Sequence, residues 1–495
     1  MEHIAAIHGA TSDIIVVGAG PGGMAATAAA AAKGATVQVV EAEGRIGGNA
    51  IHSTGYLAFV GSPMQQERGI RDSEEVFVRD GMRMADAAGE QYGVVCDESL
   101  VRMFARQSGA VARRLLADGV VFDRFIPRPR QHTVDRMVAV ADPRTLGTTF
   151  ERHFARPEVT TLFHTVAERL ILRNGSVVGV RVRRRTGSAV GGNEQLGEPA
   201  DIYARHGVVL AAGGYQANPE LRLRYQPRHL ALAPYLGIES CRGDGHLMGQ
   251  AIGGDLVNMT YVPPLVMVAS SLVEDTIAVN EAGRRFHDEA GPYEERVAAL
   301  RAQPGRRGWY VFDAVTAQAK QHLVEQMPEP PRTGGSLSDL AEAIGCTSDA
   351  LEMTVAEWNG WLTTGGDQDP MFGRVVLPAG RRPIVTAPFA ACPMVVGINF
   401  ISGGFVVTED MQVVDVFGHA IRGLFAAGDC IGGFNPIADL GGIRIAGGFT
   451  LGHIAGLSSA AGVHRTTPLP SVQHQVLPSR ARRNIEIIDV TDSPR

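Results

Sequence analysis

The chain has 495 residues, 45% hydrophobic and 20% charged, with a formal charge of −6; this balance excludes an intrinsically disordered chain and offers no basic field for nucleic acid. Glycine is in excess, 60 residues or about 12% against a usual ~7%, and without a collagen period. The surplus therefore belongs to turns and to places where backbone approaches a large ligand.

Residues 13–42 read as strand, turn, helix and strand: a β-branched run over 14–17, the glycines Gly18, Gly20, Gly22 and Gly23, an alanine-rich helix to Lys33, and a second strand over 36–40. Helices are predicted over 73–90 and 98–117. Alternating strands follow over 158–210, with the polar stretch 186–201 read as a hairpin loop. The last of these strands ends at Ala212 and Gly213, where a ligand can come close. Residues 259–385 differ in texture, with short strands such as 277–280, all three tryptophans and a helix over 336–344, and read as an inserted domain. Apolar strands return over 394–408, 413–416 and 424–427, then Gly428 and Asp429, then a closing helix over 443–459. The expected division is 1–258 for the first part of a nucleotide-binding domain, 259–385 for the insertion, 386–465 for completion of the first domain, and 466–495 for a C-terminal extension.

Five scattered cysteines without a CxxC pair predict neither a disulfide framework nor a metal site and fit a reducing, cytoplasmic setting. No signal-like start or apolar run of about 18 residues is present in the sequence, so neither export nor a transmembrane segment is expected.

The run Gly18-x-Gly20-x-x-Gly23 follows a strand and opens a helix, which gives a tight turn, close approach to a pyrophosphate and helix N–H groups aimed at it. Glu41, at the end of the second strand, supplies a carboxylate for ribose hydroxyls and would repel a 2′-phosphate. A second loop, Gly44-Arg-Ile-Gly47-Gly48-Asn49 followed by Ser53-Thr54-Gly55-Tyr56, adds donors that an ordinary NAD domain does not need.

With Gly423-Leu-Phe-Ala-Ala-Gly428-Asp429, these features resemble the flavoproteins with two dinucleotide-binding domains, which implies FAD, with Asp429 on its ribityl or pyrophosphate group. Four further segments narrow the resemblance: Ala278-Val-Asn-Glu-Ala-Gly-Arg-Arg-Phe286, Arg242-Gly243-Asp244-Gly245, Ser402-Gly403-Gly404 and Gly441-Gly442-Ile443-Arg444. From about residue 12 to 462 the chain resembles the fumarate reductase and 3-ketosteroid dehydrogenase family. The implied fold is α/β: a Rossmann-like FAD-binding domain with an inserted α+β capping domain. The implied cofactor-binding set is Gly18, Gly20, Gly22, Gly23, Glu41, Gly47, Gly48, Asn49, Thr54, Gly55, Ala212, Gly213, Gly428, Asp429, Gly441 and Ile443, with the closing helix directing N–H groups at the flavin. Asn49 stands where covalent relatives carry the bonding histidine and His52 is three residues away, which implies non-covalent FAD.

Departures from the family pattern shape the expected chemistry. Tyr293 occupies the place of the arginine of fumarate reductases, Val262 and Asn399 those of two substrate histidines, and Asp439 that of a carboxylate-binding arginine. A Pro-Tyr pair at 292–293 resembles instead the ketosteroid dehydrogenase branch and implies Tyr293 as the proton-abstracting base, with Arg285, Arg296 and His287 as groups that could tune it. That branch's second tyrosine is replaced by the Asn435-Pro-Ile-Ala-Asp-Leu-Gly-Gly run, so the Gly442 N–H, Arg444 or Asn435 would polarise the carbonyl. Arg444 could equally anchor a substrate carboxylate or the flavin pyrimidine; Tyr235, Tyr261 and Asn399 are further candidates for the pocket. No second GxGxxG unit, CxxCH or cysteine cluster is present in the sequence, so an external electron acceptor or donor is required. The expected activity is α,β-dehydrogenation of a small-molecule carbonyl compound; the alternatives are a fumarate-reductase-like enoate reductase and a flavin-binding protein without turnover.

Overall fold

The computed structural model describes residues 8–187, 193–235, 237–263, 265–266, 270–325, 327–467 and 469; nearly all of the 466–495 extension lies outside them. Strand β1 (Thr11–Val17) passes through the glycine run into α1 (Pro21–Ala32) and β2 (Val37–Val40). Pro21 suits the first helical position, where an N–H would have no intrahelical partner. Helices α2 (Glu74–Tyr92) and α3 (Glu98–Asp118) match their expected spans because their stop signals are local. Ser73 and Asp97 accept N–H groups of the first turn, and Gly93 and Gly119 end each helix in the left-handed conformation.

Next come β3 (Val159–Leu162), β4 (Thr165–Arg173), β5 (Ser176–Thr186) and the long β6 (Gln195–Leu210). Much of the stretch expected to be a hairpin loop is strand: Gln195 pairs with Thr186 and Asp201 with Arg181. Its polar residues are accommodated on an exposed face, where the Arg181 guanidinium donates to Asp201 at 2.7 Å. Residues 188–192 lie outside the described residues.

The region 277–393 carries β7 (Ile277–Val279), α4 (Tyr293–Arg301), β8 (Trp309–Phe312), β9 (Arg332–Gly334), α5 (Leu337–Ile344), α6 (Ser348–Thr364) and β10 (Phe389–Pro393). Its four strands form an antiparallel sheet in the order β7–β8–β10–β9, with its own core around Leu340, Leu351 and Trp358. β10 lies past residue 385, so this sheet closes later than the sequence division expected. Beneath Trp358, buried Glu289 accepts from Arg285 at 2.8 Å and from Arg374 at 3.0 Å. In place of the long strands expected over 394–408 there are two-residue strands, Val396–Gly397 and Gly404–Phe405.

The chain closes with β11 (Gln412–Val414), β12 (Ala420–Ala426) and α7 (Ile443–Ala460). The main sheet runs β11–β12–β6–β1–β2–β3, with β4 and β5 attached through β6. From β12 to β3 all pairs are parallel. Register places Val17, Val40, Leu210 and Ala426 side by side, so four strands deliver their carboxyl ends to one edge, where open α/β sheets bind ligands. Helix α7 packs backbone to backbone on α1: a Cβ on Gly452 would stand 2.3 Å from the Gly22 carbonyl oxygen, and one on Gly456 2.3 Å from that of Ala26. The two helices therefore run parallel, with the start of α1 beside the second and third turns of α7.

Candidate active site

At the strand ends lies a cavity of about 300 Å³. Its nucleotide end is made of backbone. A Cβ on Gly18 (φ +98°) would meet the Ala211 oxygen at 2.3 Å, and one on Gly22 would lie 3.0 Å from the Gly428 nitrogen. Gly18, Gly20 and Gly22 line the cavity and bring backbone to its wall at the start of α1, where N–H groups favour an anion. Gly23 does not line it; its missing side chain lets the Gly18 carbonyl pack where a Cβ would be only 1.8 Å away.

Glu41 is buried at the end of β2 and lines the cavity. Its carboxylate accepts the Ala19 N–H at 2.6 Å and the Glu43 N–H at 2.8 Å. Burial pushes its pKa up to about 7 against the pull of those donors. Thr165, Val166 and Ala167 line the same end. Sequence reasoning missed them; the Thr165 N–H donates to the Glu41 backbone oxygen at 2.9 Å, a proximity that only sheet register creates.

In the middle, Gly48, Asn49, Thr54, Ala212, Gly213, Gly428 and Asp429 all reach the cavity. Asn49 ties this wall to a distant segment, donating to the Tyr235 hydroxyl at 3.2 Å and accepting from the Ile238 N–H at 2.9 Å. Gly47, Gly55 and Ile443 stand behind the wall. A Cβ on Gly47 would collide with Ile51 at 2.4 Å and one on Gly55 with Pro143 at 2.6 Å, and Ile443 is fully buried in the core. His52 lines the cavity, with Nε2 3.2 Å from an Arg45 nitrogen.

The far end is lined by Val266, Tyr293, Asn399, Phe400, Arg444 and the paired glycines Gly441 and Gly442. Arg444 is tied down: it donates to Asp429 at 2.8 Å, to the Ile401 carbonyl at 2.7 Å and to Ser402 Oγ at 3.1 Å, and its guanidinium lies 4.1 Å from the centroid of the Phe400 ring. Of the three groups expected near Tyr293, Arg296 lies against it, 4.9 Å from the ring centroid. Arg285 is drawn away by Glu289 and Asp369, and His287 Nδ1 lies 2.9 Å from the Asp288 carbonyl. Asn435 also turns elsewhere, its amide donating to the Ile431 carbonyl at 2.6 Å. Tyr261 is buried against Tyr92, Val262 belongs to a core cluster, and neither they nor Tyr235 line the cavity. The side chain of Asp439 lies outside what the structure describes.

A long cradle of glycine backbone, two helix N-termini and a buried carboxylate at the end of β2 fits a dinucleotide without a 2′-phosphate. Residues 13–445 match the FAD-binding domain family. The chain belongs to this family. The protein is an FAD-dependent oxidoreductase. A probable fumarate reductase of Shewanella frigidimarina is 29% identical over 92% of this chain and 76% of its own length. A urocanate reductase of Eggerthella lenta is 27% identical over 91% of this chain and 74% of its own. The open conformation of a flavocytochrome c3 fumarate reductase superposes with a TM-score of 0.69 at 28% identity, covering 93% of this chain and 80% of that one. A 3-ketosteroid-Δ4-(5α)-dehydrogenase from Rhodococcus jostii RHA1 shares the fold, with a TM-score of 0.62 at 22% identity, over 91% of this chain and 97% of that one. Among the described residues of this flavoprotein, no group of three or more His, Cys, Asp or Glu could hold a metal. No helix among them is long and apolar enough to cross a membrane.

Proposed function

We propose that this flavoprotein interconverts a CH–CH single bond and a C=C bond beside a carbonyl, in the dehydrogenating direction, on a neutral cyclic ketone or a related carbonyl compound. FAD, held without a covalent bond, supplies the hydride acceptor. The other steps fall to the chain. Tyr293, at the first position of α4, takes the proton that the carbonyl acidifies, and Arg296 fixes its ring by a cation–π contact. The Gly442 N–H and the N-terminal dipole of α7 stabilise the oxygen on which negative charge grows. An external acceptor, such as a quinone or a partner flavoprotein, removes the electrons.

The observation that carries this reading is the charge balance at the far end. Among the described lining residues Arg444 is the one guanidinium, and Asp429 holds it at 2.8 Å. A dicarboxylate therefore meets no uncommitted cation, whereas a neutral carbonyl needs only hydrogen-bond donors. The relatives that reduce fumarate and urocanate favour a second reading, reduction of an unsaturated acid anchored by Arg444, whose Nε has no hydrogen-bond partner among the described residues.

Anaerobic stopped-flow spectroscopy separates the two. Saturated cyclic ketones should bleach the oxidised holoenzyme, and unsaturated acids should leave the dithionite-reduced enzyme unchanged; the opposite pattern selects the second reading. Tyr293→Phe should slow bleaching by about 10²-fold or more while FAD stays bound, and a rate within about threefold of the parent would remove Tyr293 from the proton transfer.

A further inference from the structure

We propose that His132 is a positioning residue that locks the direction of the Gly441–Gly442 peptide, and with it the N–H that the start of α7 presents to the cavity. The inference rests on the reading above in one respect, that this N–H faces the flavin and the substrate oxygen. Gly441 and Gly442 lie at φ +77° and +70°, a region open to glycine, so the peptide between them can turn over at little steric cost. Turning over would replace the Gly442 N–H by the Gly441 carbonyl oxygen on the cavity wall, setting an acceptor where a donor is needed.

His132 opposes that flip. Its Nε2 lies 3.2 Å from the Gly441 oxygen. In a planar trans peptide the C=O and the following N–H point in opposite directions, so a carbonyl turned towards His132 turns the Gly442 N–H away from it. Both glycines line the cavity.

The ring is set from behind. Arg136, which can only donate, places Nη1 3.4 Å from His132 Nδ1; Nδ1 therefore accepts, and the ring proton sits on Nε2 facing Gly441. Arg136 is itself fully buried and donates to Asp72 at 2.7 and 2.9 Å and to Asp80. Burial, aided by the Arg136 charge, pushes the His132 pKa down to about 4 and keeps the ring neutral in ordinary buffers. A chain of buried groups thus runs from two aspartates to one backbone oxygen at the helix start.

The test uses FAD-loaded protein and the flavin two-electron midpoint potential, read by equilibration with a reference dye. His132→Leu removes the donor, whereas His132→Gln retains an amide N–H that can reach Gly441. Without the lock, the reduction equilibrium should move about tenfold towards oxidised flavin, about 30 mV, and His132→Gln should stay within about twofold of the parent. An unchanged potential in FAD-loaded His132→Leu, or equal shifts in both variants, overturns the proposal. Should the leucine variant not fold, ¹⁵N-histidine NMR of the unmodified holoenzyme decides. A neutral His132 ring with Nε2 protonated throughout about pH 6–8 supports it; an Nδ1-protonated or titrating ring overturns it. No substrate enters either measurement, so failure of the dehydrogenase reading is seen separately.

Discussion

Glu41→Gln removes the buried carboxylate at the end of β2 and should abolish a pH dependence of cofactor binding. In the cofactor-free protein, burial raises the Glu41 pKa from an ordinary 4.5 to about 7. With the folded-state value raised, the protein without FAD holds this proton more tightly than the unfolded chain does. The resulting stabilisation is complete below about pH 4.5 and is lost as pH rises through about 7, on the order of 3 kcal/mol in all at ~1.4 kcal/mol per unit. If ribose hydroxyls of FAD donate to the carboxylate, they favour its ionised form, and binding FAD should draw the pKa down again. If the bound form titrates at the ordinary value, the Kd for FAD rises about 30-fold between about pH 8 and 5.5. Glu41→Gln should show a flat profile over that range and bind about tenfold more weakly at its upper end, through loss of a charged acceptor. Flavin fluorescence quenching on titrating cofactor-free protein measures both. A parent Kd that varies less than about threefold over that range refutes the reasoning.

Gly452→Ala places a Cβ 2.3 Å from the Gly22 backbone oxygen. It should cost about 2 kcal/mol or more, read as a lower Tm together with weaker FAD binding, because α1 and α7 set the two helix starts. Arg374→Met leaves fully buried Glu289 with one guanidinium fewer, at a cost of about 3–5 kcal/mol; it should loosen the four-stranded sheet first, seen as early tryptophan exposure on heating, since Arg374 lies 4.9 Å from the Trp358 ring centroid. Burial alone would raise the Glu289 pKa, but Arg285 and Arg374 hold it well below the carboxylate range. Its stabilisation is therefore complete above the ordinary carboxylate range and is lost progressively as pH falls through and below that range, so circular dichroism of the parent should show no loss from this group above about pH 5.5.

The nucleotide half was legible because its signals are local. Gly18, Gly20 and Gly22 declare the turn, the β-branched runs declare the strands around it, and the caps Ser73 and Asp97 with Gly93 and Gly119 bound two helices without reference to the rest of the chain. The hairpin strand from Gln195 carries no such signal, because polar residues on an exposed face look like loop until their partners are known.

The far end of the cavity was decided by tertiary structure. Sequence placed Arg285 and Asn435 as close to the chemistry as Arg296 or Arg444, yet the first two turn to Glu289 and Ile431. The pairing of Asp429 with Arg444, which sets the charge at the far end of the cavity, and the contact of His132 with Gly441 have no local signature. Glycine turns, caps and periodicities are properties of a few neighbouring residues, and the amino acids alone determined them. The direction of a long polar side chain depends on which partner the folded chain brings within about 3 Å, and only the packing of helices on the sheet chose among those partners.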